Sequence, residues 1–156
     1  MSEDRFIAEA IALAAENVLE GKGGPFGAVV VQGGEVIARA ANEVTTTSDP
    51  TAHAEMVAIR RACAVLKRFD LSDCEVYASC EPCPMCLSAI YWARIPMVYF
   101  AATKQQAAEA GFDDALIYSE LSKPAEQRQV KMQRVAAVEA GQPFAEWAKS
   151  PYKVEY

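Results

Sequence analysis

The chain has a single histidine and five cysteines among 156 residues, and their spacing suggests chemistry. His53-Ala54-Glu55 puts the histidine two residues before a carboxylate, and thirty positions later comes Pro82-Cys83-Pro84-Met85-Cys86. Cysteines at i and i+3 share one helix face. A helix N-terminus lowers a thiol pKa toward the thiolate that binds metal. One imidazole and two thiolates, from His53, Cys83 and Cys86, suit tetrahedral zinc with a fourth position left for water. Zinc acidifies water and supplies hydroxide near neutral pH. Glu55 is not needed as a ligand, so it is free to carry a proton to a ring nitrogen and a departing amine. The expected chemistry is hydrolytic removal of an amino group from an aromatic ring.

Blander roles compete with this one. A lone histidine is commonly structural, and a lone C-x-x-C is also a redox dithiol. Cys80, three residues before Cys83, could close the zinc site as a fourth ligand and make a structural, non-enzymatic interaction domain. That arrangement would leave Glu55 without a role. Cys63 and Cys74 read as small apolar residues. An odd cysteine count does not suggest a disulfide framework.

The elements that must position these groups follow from periodicity and punctuation. Residues 4–20 carry an apolar stripe near helical period, from Phe6 to Leu19, stopped by Gly21, Gly23, Gly24 and Pro25. Phe26–Val31 and Glu35–Asn42 read as two strands joined across Gln32-Gly33-Gly34. Asp49-Pro50-Thr51 carries the signals of a helix start, so a helix is expected from there to about Leu66, with His53 and Glu55 in its first turn. Further expected elements are a strand at 74–79, a helix at 84–93, a strand at 97–102 and helices at 104–110 and 113–121. A last strand is expected at Val130–Val138. Strands alternating with helices after an initial hairpin predict an α/β fold, a three-layer α/β/α domain with a central mixed sheet of about five strands.

H-x-E followed by P-C-x-x-C is the pattern of zinc deaminases, and the sequence resembles the cytidine-deaminase-like superfamily. Within it, several segments are similar to the bacterial guanine deaminases. They are Gly23–Val29 (GGPFGAV), Thr45–Glu55 (TTTSDPTAHAE), Ser79–Arg94 (SCEPCPMCLSAIYWAR), Glu109–Asp114 (EAGFDD) and a terminal Phe144-x-x-Trp147 segment ending in Glu155-Tyr156. The likeness covers essentially the whole chain. It implies one deaminase domain over 1–156, one Zn2+ per chain held by His53, Cys83 and Cys86, and conversion of guanine to xanthine and ammonia. Glu55 would be the proton carrier, and backbone N–H groups opening the Pro84 helix would help hold negative charge nearby.

Asp114 resembles the second catalytic carboxylate of that subgroup. Asp113 and Asp114 also precede the apolar run Ala115-Leu116-Ile117, where one of them would cap a helix. The Asn42 amide both donates and accepts, which suits a purine edge, although strand termination explains it equally. Phe26 and Trp92 are aromatic candidates for substrate-binding walls against a flat base, Trp92 also suiting core or interface. Residues 143–156 read as a short amphipathic helix with a frayed end. The resemblance implies more for them: a homodimer, domain-swapped through this segment, in which Tyr156 completes the partner's pocket.

The remaining alternatives concern the substrate. Other aminated rings (an aminotriazine, a nucleoside or cytosine) stay open, as does tRNA adenosine, whose deaminases share Glu81-Pro82-Cys83 and Cys86. Lys plus Arg number 15 against 21 acidic residues, and the net charge of −6 argues against a polyanionic nucleic-acid partner. Glu9 and Glu16 interrupt the first apolar stretch, so no signal peptide is expected. No run reaches membrane-spanning length, and a cytoplasmic protein is the expectation.

Overall fold

The computed structural model describes residues 2–156. The first elements are helix α1 (Ser2–Leu19), strands β1 (Gly27–Gln32) and β2 (Glu35–Ala41), a short helix α2 (Val44–Thr47) and helix α3 (Ala54–Leu66). Strand β3 (Cys74–Cys80), helix α4 (Pro84–Trp92), strand β4 (Met97–Ala102) and helices α5 (Lys104–Glu109), α6 (Ala115–Ser122) and α7 (Gln142–Lys149) follow. The chain divides into two compact units, one ending at Ala115 and one starting at Leu116.

The sheet of the first unit has the order β2-β1-β3-β4. β1 pairs antiparallel with both β2 and β3, and β3 pairs parallel with β4. Gly33 and Gly34, both at positive φ, make the two-residue hairpin turn. Successive side chains of a strand point to opposite faces, and β1 uses both. Ala28 and Val30 join Val76, Ala54, Val57, Ala58, Ala62 and Ile90 in one cluster. Val29 and Val31 join Tyr77 and Phe6 in another. α3 and α4 thus contribute to one face and α1 to the other, giving three layers, and β1 is apolar from Ala28 to Val31 because both its faces are covered. α1 lies so close that a Cβ on Gly27 would meet the Ala10 carbonyl oxygen at 2.2 Å.

Two expectations are corrected. The sheet has four strands, not about five. Residues 130–137, expected to supply the last, carry no strand pairing and are exposed throughout. Val130, Met132 and Val135 give the segment strand composition, but a strand exists only where a neighbour completes its ladder. The second correction is the start of α3 at Ala54 instead of near Asp49. The Asp49 carboxylate accepts from the Thr51 N–H at 2.8 Å and the Thr51 hydroxyl at 2.7 Å, closing a local turn instead of a helix. No helix among the described residues is long and apolar enough to cross a membrane.

Candidate active site

The later start of α3 makes His53 its N-cap, in extended backbone at φ −65° and ψ 155°. Cys83 is the N-cap of α4 at φ −67° and ψ 168°, followed by Pro84, whose missing N–H would have had no helical partner. Neither side chain caps its own helix. α5 shows the ordinary solution: Thr103 and Gln106 form a complete capping box. The His53 and Cys83 side chains turn toward each other instead, with Cys83 Sγ 3.5 Å from His53 Nδ1. Cys86, one helical turn into α4, places its Sγ at 3.5 Å from the same nitrogen. The sheet sets this meeting: β3 and β4 run parallel, so α4 opens beyond the carboxyl end of β3, and the Glu81 N–H reaches the Ala102 carbonyl at 2.8 Å.

The three donors fit a tetrahedral zinc ion. Zn–S and Zn–N bonds of ordinary length at a tetrahedral angle require an S···N separation of about 3.6 Å, and both observed values are 3.5 Å. The candidate ligand atoms all lie within 4.8 Å of one another. Cys80, the competing fourth ligand, instead donates its thiol to the Thr103 carbonyl at 3.7 Å. The set therefore holds three protein ligands among the described residues, the number that leaves a catalytic position open. Hydrogen bonding from Cys86, with a further one from His53, holds the Cys83 thiol down at about 4, so a thiolate stands ready there. The hydrogen bond to Cys83 and then burial push the Cys86 thiol up. Hydrogen bonding to Cys83 raises His53.

Glu55 lies in the first turn of α3 and is buried, with 7% of its surface exposed. Burial pushes its carboxyl above the usual range, and the Cys86 thiol donates to Oε2 at 3.5 Å. A carboxyl so placed, beside the metal group without belonging to it, takes up and releases a proton nearer neutral pH than an exposed glutamate would.

Residues 1–102 match the family model of the cytidine and deoxycytidylate deaminase zinc-binding region. The chain belongs to this zinc-dependent deaminase family. Across the full length of both chains it is 53% identical, over 156 residues, to a guanine deaminase from Bacillus subtilis. The X-ray structure of the guanine deaminase from Bacillus subtilis matches with a TM-score of 0.96 and 54% identity, covering 98% of each chain. A tRNA-specific adenosine deaminase from Aquifex aeolicus is 38% identical over 125 residues, 80% of each chain. As a member of the family the protein is a zinc-dependent hydrolase, and the His53, Cys83 and Cys86 group fits one Zn2+.

The other anticipated residues of this deaminase fall in different places. Asp113 is exposed and its Oδ1 accepts from the Ala115 N–H at 2.8 Å, so it is the member of the pair that satisfies the first N–H of α6. Asp114 is half-buried. Partial burial raises its carboxyl, and the nearby charge on Cys83 adds to the rise. Asn42 is buried just beyond β2, with Oδ1 taking the Val44 N–H at 3.2 Å and its own N–H reaching the Phe26 carbonyl at 3.0 Å. The Phe26 ring meets Phe112 edge-on at 4.9 Å, linking this loop to the segment that carries Asp114.

Trp92 is not brought to the metal group. It is the last residue of α4, about 14 Å along the helix from Cys83, and 62% of its surface is exposed. Tyr156 is in the second unit, 71% exposed. Sequence reasoning overlooked Phe112, although it stands inside the quoted Glu109–Asp114 segment. It also overlooked the buried Asn17, whose signal was an amide near the end of an otherwise apolar helical stripe.

Proposed function

We propose that the protein hydrolyses free guanine to xanthine and ammonia, one water consumed for each amine released. The observation that carries the reaction type is the three-donor metal group with buried Glu55 at 3.5 Å from one of its thiols. Full-length likeness to the Bacillus subtilis guanine deaminase supports guanine as the base. His53, Cys83 and Cys86 hold the zinc, which when bound supplies the Lewis acidity that makes water a nucleophile near neutral pH.

Glu55 accepts a proton from the attacking water and delivers it to the ring nitrogen beside the amino-bearing carbon, making that carbon more electrophilic. Attack there gives a tetrahedral carbon. Asp114 hands a proton to the amine, the C–N bond breaks to release ammonia, and as the new carbonyl forms the hydroxyl proton of the tetrahedral carbon passes to the carboxylates, restoring Asp114. Asn42 uses its amide to pair with the base edge, and Phe26 stacks on the ring. Trp92 belongs to a subunit interface in this account.

The protein works as one domain over residues 1–156 in a homodimer, with residues 143–156 exchanged so that Tyr156 closes the partner's pocket. The absence of any buried residue in 116–156, together with the exposure of Phe144 and Tyr152, supports a role for this segment against another surface. A cytoplasmic location suits the free-base substrate. The decisive variant is Glu55→Gln. It keeps one zinc per chain and loses at least about 10³-fold in kcat on guanine. Wild-type turnover with zinc retained would remove Glu55 from the reaction.

A further inference from the structure

A buried amide on α1 fixes the loop that leads to Phe26 and the strand end that carries Asn42. Asn17 is 6% exposed, and its Nδ2 donates to two carbonyls far apart in sequence, Gly24 at 2.9 Å and Asn42 at 3.0 Å. Its own backbone carbonyl accepts from the Lys22 N–H at 2.9 Å, so the chain leaving α1 is turned back onto the same residue. The two recipients flank the groups assigned to the substrate. Asn42 is one of them, and a Cβ placed on Gly24 would touch the Phe26 ring at 3.5 Å and the Asn42 Cγ at 3.6 Å.

Both protons of the Asn17 amide are thereby used, and they hold the loop and the end of β2 at one separation. Gly23 fills the remaining space: a Cβ there would lie 2.5 Å from the Asn42 oxygen and 3.0 Å from Asn17 Nδ2. On the opposite side the Gly27 N–H donates to Ser79 Oγ at 3.0 Å, so the segment from Gly23 to Gly27 is anchored from α1 and from β3. A residue whose carbonyl and N–H are both fixed presents its Cα–Cβ bond in one direction, and on Asn42 the Val44 N–H, donating to Oδ1 at 3.2 Å, then holds the amide itself. For Asn42 those anchors are Asn17 on the carbonyl and Phe26 on the N–H.

We infer that Asn17 is a positioning residue for base recognition: through its two hydrogen bonds it sets the orientation of the Asn42 amide and the distance from Asn42 to Phe26. This rests on the assignment of Asn42 to the base edge. Asn17 touches neither substrate nor metal in this scheme, so its loss weakens the hold on the base and leaves the zinc and Glu55 in place.

The test is a double-mutant cycle of Asn17→Asp and Asn42→Ala, read as KM and kcat on guanine with zinc content measured in parallel. Asn17→Asp preserves shape and removes both N–H donors. The expected result is a KM raised about tenfold with kcat within about twofold and zinc unchanged, and no further loss when Asn17→Asp is added to Asn42→Ala. A lowered Tm with KM and kcat unchanged overturns the inference and leaves Asn17 structural. So do losses that simply add in the double variant while Asn42→Ala alone is impaired, and in that case the base-edge role of Asn42 survives. An Asn42→Ala variant with wild-type KM removes that role and the inference with it. If Asn17→Asp does not fold, Asn17→Ser, which keeps one donor, enters the same cycle with the same deciding outcomes.

Discussion

The residues up to Ala115 and those from Leu116 onward treat their apolar side chains in opposite ways. The first unit buries them on both faces of a four-stranded sheet and sets its metal donors where α3 and α4 begin, against that packed scaffold. The second unit buries none of its residues, and Val130, Val135 and Val138 are 77%, 79% and 98% exposed. Burying one such side chain is worth about 1.5–3 kcal/mol, so a segment that leaves so many in water is not held by a core of its own. The metal donors belong to the first unit, and the two units should respond differently to mutation.

The largest difference is expected within the Asp113–Asp114 pair, at the edge of the first unit. Asp114→Asn should lower kcat on guanine by about 10²–10⁴-fold, the range for a lost proton-transfer group. Asp113→Asn keeps an oxygen to accept the Ala115 N–H, so kcat should stay within about twofold. Equal mild losses would assign both residues to capping. Truncation after Gln142 addresses the second unit. It should yield a monomer by light scattering that retains zinc, with kcat/KM down on the order of 10-fold to 100-fold, mainly through KM. A truncated chain that remained dimeric and fully active would end the exchanged-tail account.

The smallest effect concerns stability in acid, far from the site. Hydrogen bonds from the Gln32 amide at 2.7 Å and the Arg68 guanidinium at 2.5 Å hold Asp73 at about 2, below its ordinary value of 3.8. A lowered carboxyl favours the charged form in the fold. Its contribution is therefore present above 3.8 and lost as pH falls toward about 2. Asp73→Asn should flatten the Tm-versus-pH curve in that window alone, and by little, because the group is exposed. An unchanged slope would show that this cluster does not couple to folding.

The sequence made legible what depends on short-range signals. The Gly33-Gly34 turn, the Pro84 start of α4 and the apolar Ala28–Val31 run of β1 were readable because turn chemistry, capping and burial on two faces each leave a local mark. Asp49-Pro50-Thr51 misled because the same short carboxylate that caps helices also closes a turn on Thr51, and only the fold of the chain separates the two. The missing fifth strand is the nonlocal counterpart: Val130–Val138 has strand composition, but pairing depends on a neighbour that its own residues do not specify. The metal triad was legible from spacing, since the sole histidine and a C-x-x-C motif are separated by one crossover. The roles of Asp113 and Asn17 were not, because each depends on which backbone group the side chain meets in the folded chain.

The central claim is that the first unit's metal group and Glu55 act on a small free purine. Its most direct test is ammonia release by the zinc-loaded protein from guanine, adenine, cytosine, their nucleosides and aminated triazines, measured side by side. The account predicts turnover of guanine with one xanthine formed per ammonia and little release from the others. No release from guanine alongside turnover of another member would contradict it.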